Sequence, residues 1–169
     1  RLPWLLVCLV GTLLSGAVID AFSESLTGMG ILFVFVPAIM AMGGNAGIQT
    51  STVTVRGLAT GNLRPADAGL SLLREFRIAT GVGKLIAVLV FAVAYLWSGS
   101  LVVAACVGLA MVSAIVLSAL MGAVIPLMFR RLGIDAAVAS GPLITTLNDA
   151  VSLFIYFSIA VALAHRWGA

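Results

Sequence analysis

The residue with the clearest chemical potential is Asp149, a carboxylate inside an apolar run from Ala136 to Ala164 that holds no other charge. Holding a carboxylate at mid-membrane costs about 2.5–3.5 kcal/mol on insertion scales, so such groups mark ion pathways or relays by default. The structural alternative is a carboxylate paired with a base from another helix. The nearest such base, Lys84, reaches the membrane surface more cheaply by snorkelling. A second polar cluster is Gly43-Gly44-Asn45-Ala46-Gly47-Ile48-Gln49-Thr50-Ser51-Thr52. Asn45, Gln49 and Thr52 repeat at i, i+4 and i+7, which places three polar side chains on one helical face. Gly43, Gly44 and Gly47 leave backbone carbonyls accessible to a neighbour or an ion. Gly43-xxx-Gly47 alone reads as close helix packing, and the amides beside it add a polar surface.

Helix rise is expected to bring the two clusters to one depth. Asn45 precedes Arg56 by 11 residues, and Asp149 follows Val138 by 11, so at about 1.5 Å per residue both sit roughly 16 Å from one membrane boundary. Pro142 removes an intrahelical hydrogen bond and is expected to free a carbonyl on the same span, and Thr145 shares a face with Asp149 at i, i+4. Carboxylate, amide and carbonyl oxygens without His or thiolate favour a hard cation such as Mg²⁺, Ca²⁺ or Mn²⁺. One Asp half-neutralises a divalent ion, so two chains about a shared axis would supply the matching charge. Asp20 and Glu24 are candidate peripheral cation sites at an entrance. Asp135 is an ordinary loop acid or an inner-mouth cation site, and Tyr156, one heptad beyond Asp149, is expected to line the same path.

The elements that must position these residues follow from composition. Of 169 residues, 62% are hydrophobic and 9% charged, against roughly 25% charged in an average soluble domain. The mean hydropathy is +1.23, which excludes a soluble domain and describes an all-α integral membrane protein. Five spans of the roughly 20-residue length a bilayer requires can be drawn, approximately 2–22, 31–55, 78–97, 101–129 and 136–164, with the stretch from Arg56 to Arg77 as a long loop. Alternating sides places Arg1, Arg56, Arg64, Arg74, Arg77, Lys84, Arg130 and Arg131 together and leaves Arg166 alone. The positive-inside rule then makes the N-terminus cytoplasmic and the C-terminus external. Trp4, Trp97 and Trp167 fall at span ends, where indoles belong.

Ala110, Ala114, Ser118 and Gly122 form a small-residue stripe in the fourth span, suited to close contact within the chain or with a second copy. That span is long enough to tilt, or to bend near Pro126. The net charge of +3 is spread between apolar runs and forms no nucleic-acid patch. Cys8 and Cys106 lie in different runs and support neither a disulfide nor a zinc site. The chain starts at Arg1 with no signal-peptide n-region or cleavage site, and is expected to be the membrane part of a longer chain.

Residues Pro37-Ala38-Ile39-Met40-Ala41-Met42-Gly43-Gly44-Asn45-Ala46-Gly47-Ile48-Gln49-Thr50-Ser51-Thr52, on through Arg56-Gly57-Leu58-Ala59, resemble the second-helix signature of MgtE-type magnesium channels. Pro142-Leu143-Ile144-Thr145-Thr146-Leu147-Asn148-Asp149, with Tyr156 following, resembles that family's fifth-helix pore motif. The similarity covers essentially the whole chain. It implies a homodimer with one central pore, in which paired Asp149 side chains bind a largely hydrated Mg²⁺. It also places the Thr145 carbonyl and the Asn45 side chain around that ion, with Gly43 and Gly44 admitting the second helix, and gives Asp135 a regulatory metal role. Gly141 stands where a relative has Asn, so a filter role for that amide does not carry over. The usual cytoplasmic N-terminal and CBS domains are absent from this sequence.

The sequence therefore predicts a multi-pass protein of the bacterial plasma (inner) membrane. Its expected function is a Mg²⁺-selective divalent cation channel with pore residues Gly43, Gly44, Gln49 and Tyr156 and metal residues Asp149, Asn45 and Thr145. The alternative is a proton- or ion-coupled carrier with Asp149 as the coupling carboxylate. An enzyme is not expected, because His165 is the one His and no nucleophile elbow or paired metal ligands occur. Expected partners are a second copy, membrane lipid, and Mg²⁺ with Mn²⁺ or Ca²⁺ as competitors, without nucleic acid.

Overall fold

The computed structural model describes residues 2–63, 67–136 and 141–167. They form five helices: α1 (Leu2–Ser23), α2 (Leu32–Ala59), α3 (Ala68–Ser98), α4 (Leu101–Arg131) and α5 (Pro142–Trp167). Each contains a window long and apolar enough to cross a membrane, and lipid leaves such a run no backbone partners outside its own helix. The protein is an all-helical, multi-pass membrane protein.

Helix boundaries depart from the expected spans. α3 has 31 residues, about 46 Å of helix against a hydrocarbon core of about 30 Å. It therefore begins ten residues before the apolar run at Ile78, and Arg74, Glu75 and Arg77, expected in a loop, ride on its first turns. α2 likewise continues past Arg56 to Ala59. Pro142 does not interrupt α5 but starts it. Gly141 adopts φ of +68°, a left-handed turn that glycine makes without steric cost, and its carbonyl accepts the Thr145 N–H at 3.0 Å. At the first helical position the missing proline N–H is no loss. Pro126 lies buried inside α4, which runs unbroken. α3 ends at Gly99, φ +64°, whose N–H bonds to the Tyr95 carbonyl, and the Ser100 hydroxyl then caps α4 by accepting from Val103 N–H.

α4 is the centre of the bundle. It packs against α2, α3 and α5, while α5 also packs against α1 and α2. Ala110, Ala114, Ser118 and Gly122 are all buried inside the single chain, so the small-residue stripe serves contacts within it. A β-carbon on Gly122 would strike the Gly47 carbonyl, and one on Gly47 would stand 2.5 Å from Ser118 Oγ and 2.8 Å from Ile144 Cγ2. Gly47 is thus the point where α2, α4 and α5 meet. A β-carbon on Gly11 would collide with Thr146, which brings α1 against α5 in the same way. At the opposite end, Phe22 packs its ring on Phe154 and Phe157, with centroids 5.8 and 5.7 Å away.

Among the described residues, Arg56, Arg74, Arg77, Arg130 and Arg131 gather where α2 and α4 end and α3 begins, while Arg166 lies in the last turn of α5. Trp97 is exposed at the end of α3. Arg1 and Arg64, the residue Val138 used as a depth marker, and the indoles of Trp4 and Trp167 lie outside what is described.

Gly122→Ala should destabilise the bundle by about 1–3 kcal/mol, the usual range for overpacking a rigid contact. Gly16→Ala, where nothing lies within 4 Å, should leave stability unchanged or slightly raised. Thermal melts of the two variants in detergent check this, and equal melting points would refute the packing argument.

Candidate functional site

α2 and α5 enclose a groove of about 470 Å³ open on the chain's surface. Gly44, Asn45 and Ile48 line it from α2, and Thr145 and Asp149 from α5. The helices run antiparallel: the position of a β-carbon on Gly43 faces Asn148, and that of one on Gly47 faces Ile144. This register puts Asn45 and Asp149 within about one helical turn of the same level. Asn45, Thr145 and Asp149 line this one groove.

Asn148, to which the sequence reading gives no role, sets the rotation of α5. It is 2% exposed, and its Oδ1 accepts from Ser152 Oγ at 3.0 Å. Its amide lies flat on Gly43, where a β-carbon would approach Nδ2 to 2.8 Å and Oδ1 to 2.9 Å. With Asn148 directed inward, its neighbour Asp149, about 100° further round the helix, turns to the groove. The signal in the sequence is an amide beside an acid in an apolar run. The Thr145 hydroxyl donates back to the Gly141 and Pro142 carbonyls at 3.2 and 3.1 Å. Its backbone carbonyl retains a lone pair even after accepting a helical hydrogen bond.

Several expected site residues stand elsewhere. Gln49 does not line the Asp149 groove. It lies with Thr50 and Glu75 in a separate cavity between α2 and α3, because the Asp149 groove occupies the flank of Asn45 away from Gln49. Tyr156 is fully buried. Its hydroxyl donates to the Leu32 carbonyl at 2.9 Å and its ring stacks on Phe157 at 5.2 Å, so it ties α5 to the start of α2 and lines no path within the chain. Gly43 is covered by Asn148 and acts as a contact surface, whereas Gly44 lines the groove. Asp20 and Glu24 are exposed at and just after the end of α1, and Asp135 is exposed in the turn after α4.

Among the described residues no three His, Cys, Asp or Glu side chains converge. The groove offers instead one carboxylate with amide and backbone oxygens, a hard donor set suited to Mg²⁺-like cations in partial, water-rich coordination. An acid and an amide facing one open groove of a five-helix bundle define a polytopic membrane protein with a polar groove among its spans.

The comparisons with known proteins agree. The chain belongs to the MgtE family, described as divalent cation transporters, whose sequence profile matches residues 36–159. It is 37% identical over 165 residues to the magnesium transporter MgtE of Bacillus subtilis, covering 98% of this chain and 37% of that protein. It is 36% identical over 160 residues to the magnesium transporter MgtE of Enterococcus faecalis, and 32% identical over 160 to that of Thermus thermophilus. Each of these two alignments covers 95% of this chain and 35% of the relative. The chain thus spans 35–37% of the length of the curated relatives it matches.

Gly43→Ala should cost about 1–3 kcal/mol by displacing the Asn148 amide. Gly44→Ala, whose added carbon would meet Thr145 Cγ2 at an ordinary 3.7 Å, should cost less. In an Asn148→Ala background most of the Gly43→Ala penalty should vanish. A double-mutant cycle of melting points measures this coupling, and additive effects would refute the assigned contact.

Proposed function

We propose that this chain forms a Mg²⁺-selective divalent cation channel, with its pore on the axis of a homodimer and Asp149 of each protomer facing one largely hydrated ion. The observation that supports this best is the shared lining of one open groove by Asp149, Asn45 and Thr145. The groove is open along one side in a single chain, and a second copy would close it while bringing a second carboxylate. Two carboxylates balance a divalent ion where one leaves it half-compensated.

Mg²⁺ gives up its water reluctantly and prefers octahedral oxygen ligands, so a pair of acids holding a hydrated ion suits permeation better than a dry cage. The names of the relatives, magnesium transporters, support the choice of ion; Mn²⁺ and Ca²⁺ would compete for the same donors. The role is transport and not catalysis. The arginines gathered at one end of the bundle support a cytoplasmic N-terminus and an external C-terminus by the positive-inside rule. Asp20 and Glu24 would then gather cations at the outer mouth, and Asp135 would add a carboxylate on the inner side.

The test is Mg²⁺ flux into liposomes that contain only this polypeptide. Asp149→Asn should lower flux at least about tenfold, because it removes the pore charge while keeping shape. Asn45→Leu should lower it less, since a neutral amide supplies orientation and not charge, and Leu89→Ala on the exposed face of α3 should leave it unchanged. Wild-type flux through a folded Asp149→Asn protein would overturn the assignment. Flux that requires a proton gradient would replace the channel with a carrier coupled through Asp149.

A further inference from the structure

α2 carries a second polar cavity on its flank away from Asp149. It lies where α2 ends and α3 begins, has a volume of about 510 Å³, and its polar lining includes Gln49, Thr50, Asn62, Ser71, Arg74 and Glu75. The Thr50 hydroxyl donates to Glu75 Oε2 at 3.2 Å across the gap. From this cavity a narrower cleft of about 70 Å³ continues toward the middle of the bundle. Its walls past Ile78 are Ala46 and Val82, and its floor is Ile115 and Ala119 of α4. α2 and α3 each pack on α4 without packing closely on each other, which leaves the seam open to the membrane.

The cavity presents charges of opposite sign from adjacent positions of α3, and the seam below them is apolar. A bare cation in this cavity would sit beside the Arg74 guanidinium, and a free anion would sit beside the Glu75 carboxylate, so neither matches the pair. A zwitterion matches both: guanidinium binds phosphate oxygens in a fork, while carboxylate, hydroxyl and amide oxygens accept from a primary ammonium. A hydrocarbon chain attached to that zwitterion would lie along Ala46, Val82 and Ala119.

We propose that the seam between α2 and α3 binds an aminophospholipid of the phosphatidylethanolamine type, its phosphate on Arg74, its ammonium on Glu75 with Thr50 and Gln49, and one acyl chain over Val82. This site is separate from the groove of Asp149 and stands whether or not that groove conducts ions.

The experiment is native mass spectrometry of the whole chain released from nanodiscs. The nanodiscs hold equal amounts of phosphatidylethanolamine, phosphatidylcholine and phosphatidylglycerol with identical acyl chains. Phosphatidylcholine lacks ammonium N–H donors and phosphatidylglycerol lacks the ammonium, so the ethanolamine lipid should be retained at least about tenfold over each, the worth of one charge-assisted hydrogen bond. Glu75→Gln should reduce that preference to within about twofold. Arg74→Gln should weaken retention of all three lipids. Val82→Trp should also weaken all three while keeping the order, since it fills the seam and leaves the charges. Soluble phosphoethanolamine should fail to displace the lipid; displacement would make the seam irrelevant and overturn the acyl part of the assignment. Equal retention of the three lipids by the wild-type chain, a result that depends on no variant folding, would overturn the whole proposal. An unchanged preference in folded Glu75→Gln would do the same.

Discussion

The contact of the Gly47 carbonyl with Gly122 sets the distance between α2 and α4, and the polar features of the bundle are arranged around it. Lipid tails are as apolar as leucine, so helices in a membrane gain little from hiding side chains. They associate through van der Waals packing, which small residues improve by letting backbones approach. Here the absence of a β-carbon on both residues brings two backbones together, and Ile144 of α5 packs onto the same glycine of α2. Three helices are thereby fixed at one point. With α2 held there, its flanks are committed: Asn45 turns toward the α5 groove, and Gln49 and Thr50 turn toward α3.

What could be read from the sequence is what hydropathy and isolated polarity report. Five spans were legible because each lipid-facing run is long and nearly uncharged. Asp149 and Asn45 were legible because each is polar where its neighbours are not, and their common level followed from helix rise alone. Helix ends were less legible, since hydropathy marks the lipid-embedded part of a helix and not its hydrogen-bonded extent. α3 projects beyond that part with Arg74 and Arg77. Pro142 illustrates a related limit: the residue that can break a helix can equally begin one, and the positive φ of Gly141, invisible in the letters, settles which.

Rotation about the helix axis was the least legible quantity. Asn45 and Gln49 are separated by about 40° around α2, which makes them one face in a periodicity argument, yet the ridge between two grooves falls between them. Tyr156, one heptad from Asp149, stays on the same stripe of α5. The stripe passes under the start of α2 there, so the tyrosine is enclosed and its hydroxyl meets a backbone carbonyl. The small-residue stripe of α4 was compatible with an internal contact or a contact between copies. Its complete burial within one chain decides for the internal one.

Asn148 and Asp149 show how a membrane helix can hold an acid at a defined angle. The buried amide is held by Ser152 one turn further along the same helix and is seated on Gly43 of α2. That anchor faces the core, so the adjacent carboxylate is directed outward to the groove. The walls around the carboxylate are mainly apolar, with Val36, Met40 and Ile48 among them, and such walls cannot replace the water shell of a small divalent ion. On the proposed reading the ion therefore keeps most of its water past Asp149. Discrimination then arises from charge and from the width left between two copies of the groove, not from direct coordination. This arrangement needs a rigid angle for the carboxylate more than a complete ligand cage, and a rigid angle is what Asn148 and the glycines of α2 supply.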